Sequence, residues 1–280
     1  MSAYHRPRSL EEALAIRAAT GAVPLAGGTD IQPLRTARAA WGEPWRPDIL
    51  DLSAVPGLDG ITETPEGWRI GARTTWTAIA EAPLPPLFDG LRAAAREVGG
   101  RQVQNRGTIA GNLVTASPAG DGIPNLLALD AEVELASADS VRRLKVAEFV
   151  TGYRTTALAP GEIVTALNIP RCDGGCGRFV KLGARRYLVI SIAMAAAVIA
   201  FEGGRVAAAR IAVGACSPVA RRLPALEEAL TGLHPAETPR VPQPSHLAPL
   251  APIDDVRASA AYRTGAALTL LRDLLAGFGP

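Results

Sequence analysis

The stretch from Gln104 to Asp130, QNRGTIAGNLVTASPAGDGIPNLLALD, decides the reading of this chain. It is rich in Gly, Thr and Asn, and a largely apolar run, Ile123 to Leu129, follows directly. Gly107, Gly111 and Gly120 leave backbone N–H groups uncovered and permit left-handed backbone. Thr108, Asn112, Thr115 and Ser117 add short hydrogen-bonding side chains, and Asp121 stands as a lone acceptor among donors. Such a surface suits a polyanion that carries a sugar, with N–H groups for phosphate oxygens and a carboxylate for ribose hydroxyls. A second loop of the same kind, PLAGGTDI at Pro24 to Ile31, lies far upstream. The two read as glycine loops closing on one dinucleotide.

Bulk composition narrows the class. A chain of 280 residues has room for two domains, and 48% hydrophobic with 20% charged residues builds a large core. The net charge of +2 gives no electrostatic footprint for nucleic acid or an acidic membrane. Only Lys145 and Lys181 are lysines; the other basic residues are all arginine. Cys172, Cys176 and Cys216 are too few, and odd in number, for a disulfide framework, which places the chain in a reducing cytoplasm. The N-terminus, MSAYHRPRSLEEA, lacks the apolar segment of a signal peptide. The longest apolar run, Leu188 to Phe201, is broken only by Ser191; it is too short to span a membrane and reads as core.

Outward from the central stretch, local signals mark the elements. Ser9 caps a helix beginning LEEALAIRAA, with Glu12 as capping-box partner and Gly21 as its stop. Val23 to Ala26 is a strand running into Gly27–Gly28, and residues 46–52 form another. Strands at Ile61 and at Trp68 to Gly71 flank a turn at 65–67; Thr75 to Glu81 and Leu87 to Val98 are helices. The central stretch reads as a long glycine loop, ended by a helical turn over Pro124 to Asp130 and a strand over Ala131 to Ala136. CDGGCG, Cys172 to Gly177, is the expected domain boundary. Beyond it come apolar strands, a helix over Leu223 to Leu230, a Pro-rich surface loop from Pro235 to Pro252 and a last helix capped by Asp254 or Asp255.

Common catalytic patterns are missing from the sequence. No G-x-G-x-x-G or G-x-x-x-x-G-K-[ST] occurs, so neither a Rossmann site nor a P-loop is supported. Neither Ser117 nor Ser191 has G-x-S-x-G around it. His5, His234 and His246 lie outside both glycine loops, and three thiols fall short of the roughly four an iron–sulfur cluster needs. No metal site is expected. A chain so poor in acid–base and nucleophilic residues suits chemistry done by a cofactor.

At this point the residues resemble a known family, the FAD-binding medium subunits of the molybdenum hydroxylases, which include xanthine dehydrogenase and carbon monoxide dehydrogenase. The resemblance rests on LAGGTD at Leu25 to Asp30 and on the central QNRGTIAGNLVTASPAGD, residues 106–121 above all. It continues through GEIVTALNIP (Gly161 to Pro170), FVKLGARR (Phe179 to Arg186) and DVRASAAYR (Asp255 to Arg263), in order along nearly the whole chain. It implies an α+β fold: a two-part FAD-binding domain of the PCMH, vanillyl-alcohol-oxidase-like type over 1–172, then a smaller α+β domain over 173–280. Carried over residue by residue, Leu25, Ala26, Gly27, Gly28, Thr29, Asp30 and Ile31 would hold the pyrophosphate through backbone N–H groups. Thr108, Ile109, Ala110, Gly111 and Asn112 would form the other half of that cradle. Asp121 would accept a sugar hydroxyl, and Val164 and Lys181 match positions that touch the cofactor. Some relatives place an aromatic ring over the flavin just before the G-x-Q segment; Val98 stands there in this chain, and Tyr187 becomes the candidate for stacking.

The resemblance further implies an electron-transfer subunit. It would take electrons from [2Fe–2S] clusters on a small partner, downstream of a molybdopterin centre on a large one, and pass them to an external acceptor. A dimer of heterotrimers is the expected assembly. A stand-alone FAD oxidoreductase of the same fold, or a flavin-free docking subunit, are the alternatives. Hydrogen bonds to charged phosphate oxygens contribute roughly 1.5–3 kcal/mol each. Gly111→Val should therefore abolish flavin binding in a chain that still folds; stoichiometric FAD in that variant, read by visible absorption, would sink this picture of the cradle.

Overall fold

The computed structural model describes residues 2–278. Ser9 Oγ accepts the Glu12 N–H (3.1 Å) and starts the helix Leu10–Thr20, while the Glu12 carboxylate reaches one residue further back, to the Arg8 N–H (2.7 Å). Gly21 stops that helix in left-handed backbone, φ 66°, as its N–H closes on the Arg17 carbonyl. Three short parallel strands follow from this N-terminal unit, with Ile49–Asp51 between Tyr4–His5 and Val23–Leu25. A small core of Ala13, Leu14, Leu50, Leu52 and Leu58 holds them. Val23–Leu25 leads straight into the first glycine loop, and the loop runs into a helix, Ile31–Ala40. Pro33 hides that helix from sequence reading, yet it sits in the first turn, where its missing N–H costs nothing.

A five-stranded antiparallel sheet forms the second part, in the order Ile61–Thr64, Gly67–Gly71, Ile163–Pro170, Glu132–Ala136, Val141–Lys145. Helices Trp76–Glu81 and Asp89–Glu97 share its main core with two more from the central stretch, Ile109–Thr115 and Gly122–Ala128. The central stretch is thus mostly helical rather than an open loop. The cause is Thr108: its extended backbone and its Oγ1, which accepts the Gly111 N–H at 3.1 Å, cap a helix at once.

The C-terminal part is a four-stranded antiparallel sheet, Gly175–Leu182, Ala193–Glu202, Arg205–Gly214 and Arg221–Arg222, backed by the helix Ala260–Ala276. Its side chains alternate between two cores. Ala196, Val198 and Ala212 face the first domain, whereas Ala195, Ala197, Ile199, Ile211 and Val213 pack with Leu271, Leu274 and Leu275 of the helix. A strand buried on both faces reads as one continuous apolar run. Three expectations shift here. The strand within Leu188–Phe201 starts only at Ala193, and the CDGGCG break already becomes strand at Gly175. The Pro-rich segment carries two 3-10 turns, Pro235–Arg240 and Pro244–Leu247, with Thr238 and Leu247 buried. Among the described residues no helix is long and apolar enough to cross a membrane.

The last helix is capped by Ser259 and not by Asp254 or Asp255. Asp255 instead anchors the helix sideways. Its carboxylate takes the buried Arg263 guanidinium at 2.7 Å, and Arg263 also donates to the carbonyls of Ile192 (2.6 Å) and Ala215 (3.0 Å). Burial acts to raise the Asp255 carboxyl, but the Arg257 N–H and the Arg257 and Arg263 side chains outweigh it and hold it well below the usual range. A depressed carboxylate contributes stability that is present above its unfolded pKa, about 3.9, and lost as pH falls through the folded value. Asp255→Asn should therefore lower stability at neutral pH by roughly 1–3 kcal/mol. The gap between the melting curves of variant and wild type should narrow steadily as pH falls below about 3.9; a gap that does not narrow in acid would show that the pair is not its source.

Candidate functional site

The two glycine loops meet backbone to backbone. A Cβ built on Gly27 would lie 1.9 Å from the Arg106 carbonyl oxygen, so only glycine lets the loops approach this closely. Beneath them lies the buried Trp76 indole. A Cβ on Gly107 would stand 3.3 Å from Trp76 Cδ1, and one on Gly122 only 2.6 Å from Trp76 Cη2. The second glycine segment therefore wraps this ring at both edges. It is also stitched to the chain leaving the strand Gly67–Gly71: Trp76 N–H donates to Gly107 C=O (3.1 Å), and Ile109 N–H to Thr74 C=O (3.0 Å).

Between the loops opens a cleft of about 450 Å³, within the usual range for a cofactor site. Ala26, Gly27, Gly28, Thr29, Asp30 and Ile31 form one wall; Thr108, Ala110, Gly111 and Asn112 form another, and Val164 closes part of the floor. Among the described residues, the N–H groups of Gly27, Gly28, Thr29 and Asp30 have no acceptor within the chain. The opposite wall differs from the expected N–H cradle. The N–H groups of Ile109, Ala110, Gly111 and Asn112 already donate to Thr74 O, Ala72 O, Thr108 Oγ1 and Thr108 O. Asn112 of that wall carries a buried Oδ1 that has no donor and lies close to Gly120 and Gly122. A Cβ at Gly111 would stand 2.8 Å from Thr108 Oγ1, so a side chain there strikes the cap that shapes this wall. Leu25 and Ile109 are not on the cleft surface; Ile109 is fully buried behind it.

Asp121, Lys181 and Tyr187 stand apart from the cleft wall. Lys181 Nζ donates to Asp121 Oδ2 at 2.6 Å and Ser191 Oγ to Asp121 Oδ1 at 2.7 Å, with both members of the ion pair buried. Burial pushes the Asp121 carboxyl up, opposed by Lys181 and Ser191. Both carboxylate oxygens are thus engaged by the protein, and the free acceptor expected for a sugar hydroxyl is not what the geometry shows. Lys181 borders a separate cavity of about 280 Å³ with Arg185 and Arg186. Tyr187 is 65% exposed and does not line the cleft, whereas Val98 and Val103 do. Sequence reading also misses Arg73 and Trp76; no motif marks either, and their roles follow from the pairing of residues 72–76 with the second glycine segment.

Residues 1–172 match the FAD binding domain found in molybdopterin dehydrogenases, and residues 178–277 the CO dehydrogenase flavoprotein C-terminal domain. The chain is 32% identical to the nicotine 6-hydroxylase medium subunit of Paenarthrobacter nicotinovorans, over 96% of this chain and 94% of that one. It is 31% identical to the carbon monoxide dehydrogenase medium chain of Afipia carboxidovorans, over 96% and 93% of the two chains. The structure of reconstituted CO dehydrogenase from Oligotropha carboxidovorans superposes with a TM-score of 0.87 at 28% identity, covering 98% of this chain and 96% of that one. The protein belongs to the FAD-binding medium subunits of the molybdenum hydroxylases, oxidoreductases of the xanthine and carbon monoxide dehydrogenase type. Its two-part FAD domain followed by a smaller α+β domain is that family's architecture. The cleft fits the cofactor on its own terms: a row of unused N–H donors suits a diphosphate, and the orphaned Asn112 Oδ1 suits a ligand donor.

Gly27→Ala tests the contact between the loops. The added methyl must displace the Arg106 carbonyl, which should destabilise the chain by about 1–3 kcal/mol and empty the purified protein of FAD. Gly265→Ala, in the C-terminal helix with nothing within 4 Å of its Cβ, should keep full FAD content and gain about 1 kcal/mol. Equal FAD in both variants would show that the loop contact does not build the site.

Proposed function

We propose that this chain is the FAD-carrying electron-transfer subunit of a multi-subunit molybdenum hydroxylase. In this reading the [2Fe–2S] clusters lie on a small partner subunit and molybdopterin on a large one, in a dimer of heterotrimers. The observation that carries it is the character of the cleft: unused N–H groups on one loop, an orphaned amide oxygen on the other, and only two charged residues, Asp30 and Arg73. No His, Cys, Glu, Lys or Tyr lines it, and its one carboxylate, Asp30, is exposed. Among the described residues no group of three or more His, Cys, Asp or Glu side chains is placed to hold a metal ion.

Bound FAD would supply a two-electron carrier able to exchange electrons with one-electron centres. The chain's own part is positional. Gly27 to Asp30 would hold the diphosphate with N–H dipoles that need no reorganisation, and Asn112 would accept a hydrogen bond from the cofactor. Val98, Val103 and Val164 give the cleft apolar surface that would keep water from bound rings. Asp121 and Lys181 act from behind the wall by fixing the second glycine segment to the C-terminal sheet. Tyr187 would reach a flavin only by a movement of its exposed segment. We divide the chain at 172/173, and its sparse, unpaired thiols favour a cytoplasmic setting.

A visible spectrum of the purified chain, with the released cofactor identified, should show stoichiometric FAD and no FMN. Co-expression with its partners should add molybdenum and iron to the complex but none to this chain. A complex that is active and carries no flavin would overturn the assignment in favour of a docking subunit.

A further inference from the structure

We infer that Arg73, which no motif of the sequence marks, is a cofactor-binding residue whose guanidinium grips the diphosphate of FAD opposite the Gly27–Asp30 loop. The inference rests on the FAD reading above and adds a charged contact to it. The first observation is electrostatic. Arg73 is the sole cation among the residues lining the cleft, and the other charged one, Asp30, is an exposed carboxylate that repels a phosphate. Backbone N–H dipoles alone leave two phosphate charges and that carboxylate without a counter-charge.

The second observation is placement. The residues on either side of Arg73 bond to the second glycine turn: Ala72 C=O accepts the Ala110 N–H (3.4 Å), and Thr74 C=O accepts the Ile109 N–H (3.0 Å). Arg73's own N–H closes on the Leu58 carbonyl at 2.6 Å. Its Cα is therefore pinned directly against the turn that forms one wall. The third observation is vacancy of partners. Arg142, Arg222 and Arg263 each hold a carboxylate, but among the described residues the guanidinium of Arg73, a half-buried residue, has no hydrogen bond, ion pair or aromatic ring. A planar five-donor fork, on a residue that is anchored at its backbone and lines the cleft, matches the bidentate geometry of phosphate oxygens.

The test uses the full-length chain, stripped of flavin and titrated with FAD or with ADP as competitor, at low and at high salt. Arg73→Gln should weaken FAD and ADP by the same factor, about 10- to 100-fold, and should flatten the salt dependence of binding. Arg73→Lys keeps the charge without the fork; it should retain the salt dependence with a smaller loss, and it keeps the test open if the Gln variant fails to fold. Unchanged FAD affinity in a folded Gln variant, or a loss with the wild-type salt dependence intact, overturns the inference. A wild-type chain that binds no FAD, alone or in its complex, defeats the FAD reading instead; this outcome is separate from the behaviour of the Arg73 variants.

Discussion

The meeting of Gly27 with the Arg106 carbonyl is the contact on which the rest of the site depends. With the hypothetical Cβ only 1.9 Å from that oxygen, no other residue type fits without separating the loops. The approach places a parallel three-stranded unit against an antiparallel five-stranded one, and the cleft is the gap left where they diverge. Trp76 sets the depth of that gap. Its ring fills the space under both ends of the second glycine segment, so the helices Ile109–Thr115 and Gly122–Ala128 leave it in fixed directions. Close packing of this kind transmits a change at one glycine to the whole wall.

The C-terminal sheet extends the same logic to the domain interface. Its central strand is almost all alanine from Ala193 to Ala197, and small side chains on both faces let the first domain and the C-terminal helix come close on opposite sides. Into this interface the chain sets one ion pair, Asp121–Lys181, completed by Ser191. A buried pair adds little net stability, but each member alone would be a costly unpaired charge. Its physical effect is to fix where the residue that follows the second glycine segment sits relative to the strand Gly175–Leu182.

The cleft's chemistry is that of holding rather than reacting. Its donors are backbone groups, its walls are mainly apolar, and its one arginine is anchored by its backbone beside the turn.

Much of this was legible in the sequence wherever the signal is local. Ser9 and Gly21 bracket the first helix, Thr75 caps the next one read, and the alternating run at Glu132–Ala136 is a strand. The glycine motifs disclosed the family and the close approach of the first loop to the second, because glycine in such a pattern already implies close backbone approach. The sequence could not show that Thr108 turns the second loop into a helix and uses up its N–H groups, since that depends on hydrogen bonds to Ala72 and Thr74 as well as on the cap. It could not show that Asp121 is claimed by Lys181, 60 positions away, or that Arg73 faces the cleft. Caps, turns and periodicity are written in neighbouring residues and fixed which elements form. The partners of buried polar groups are chosen by which distant segments pack together, and that choice exists only in the folded chain.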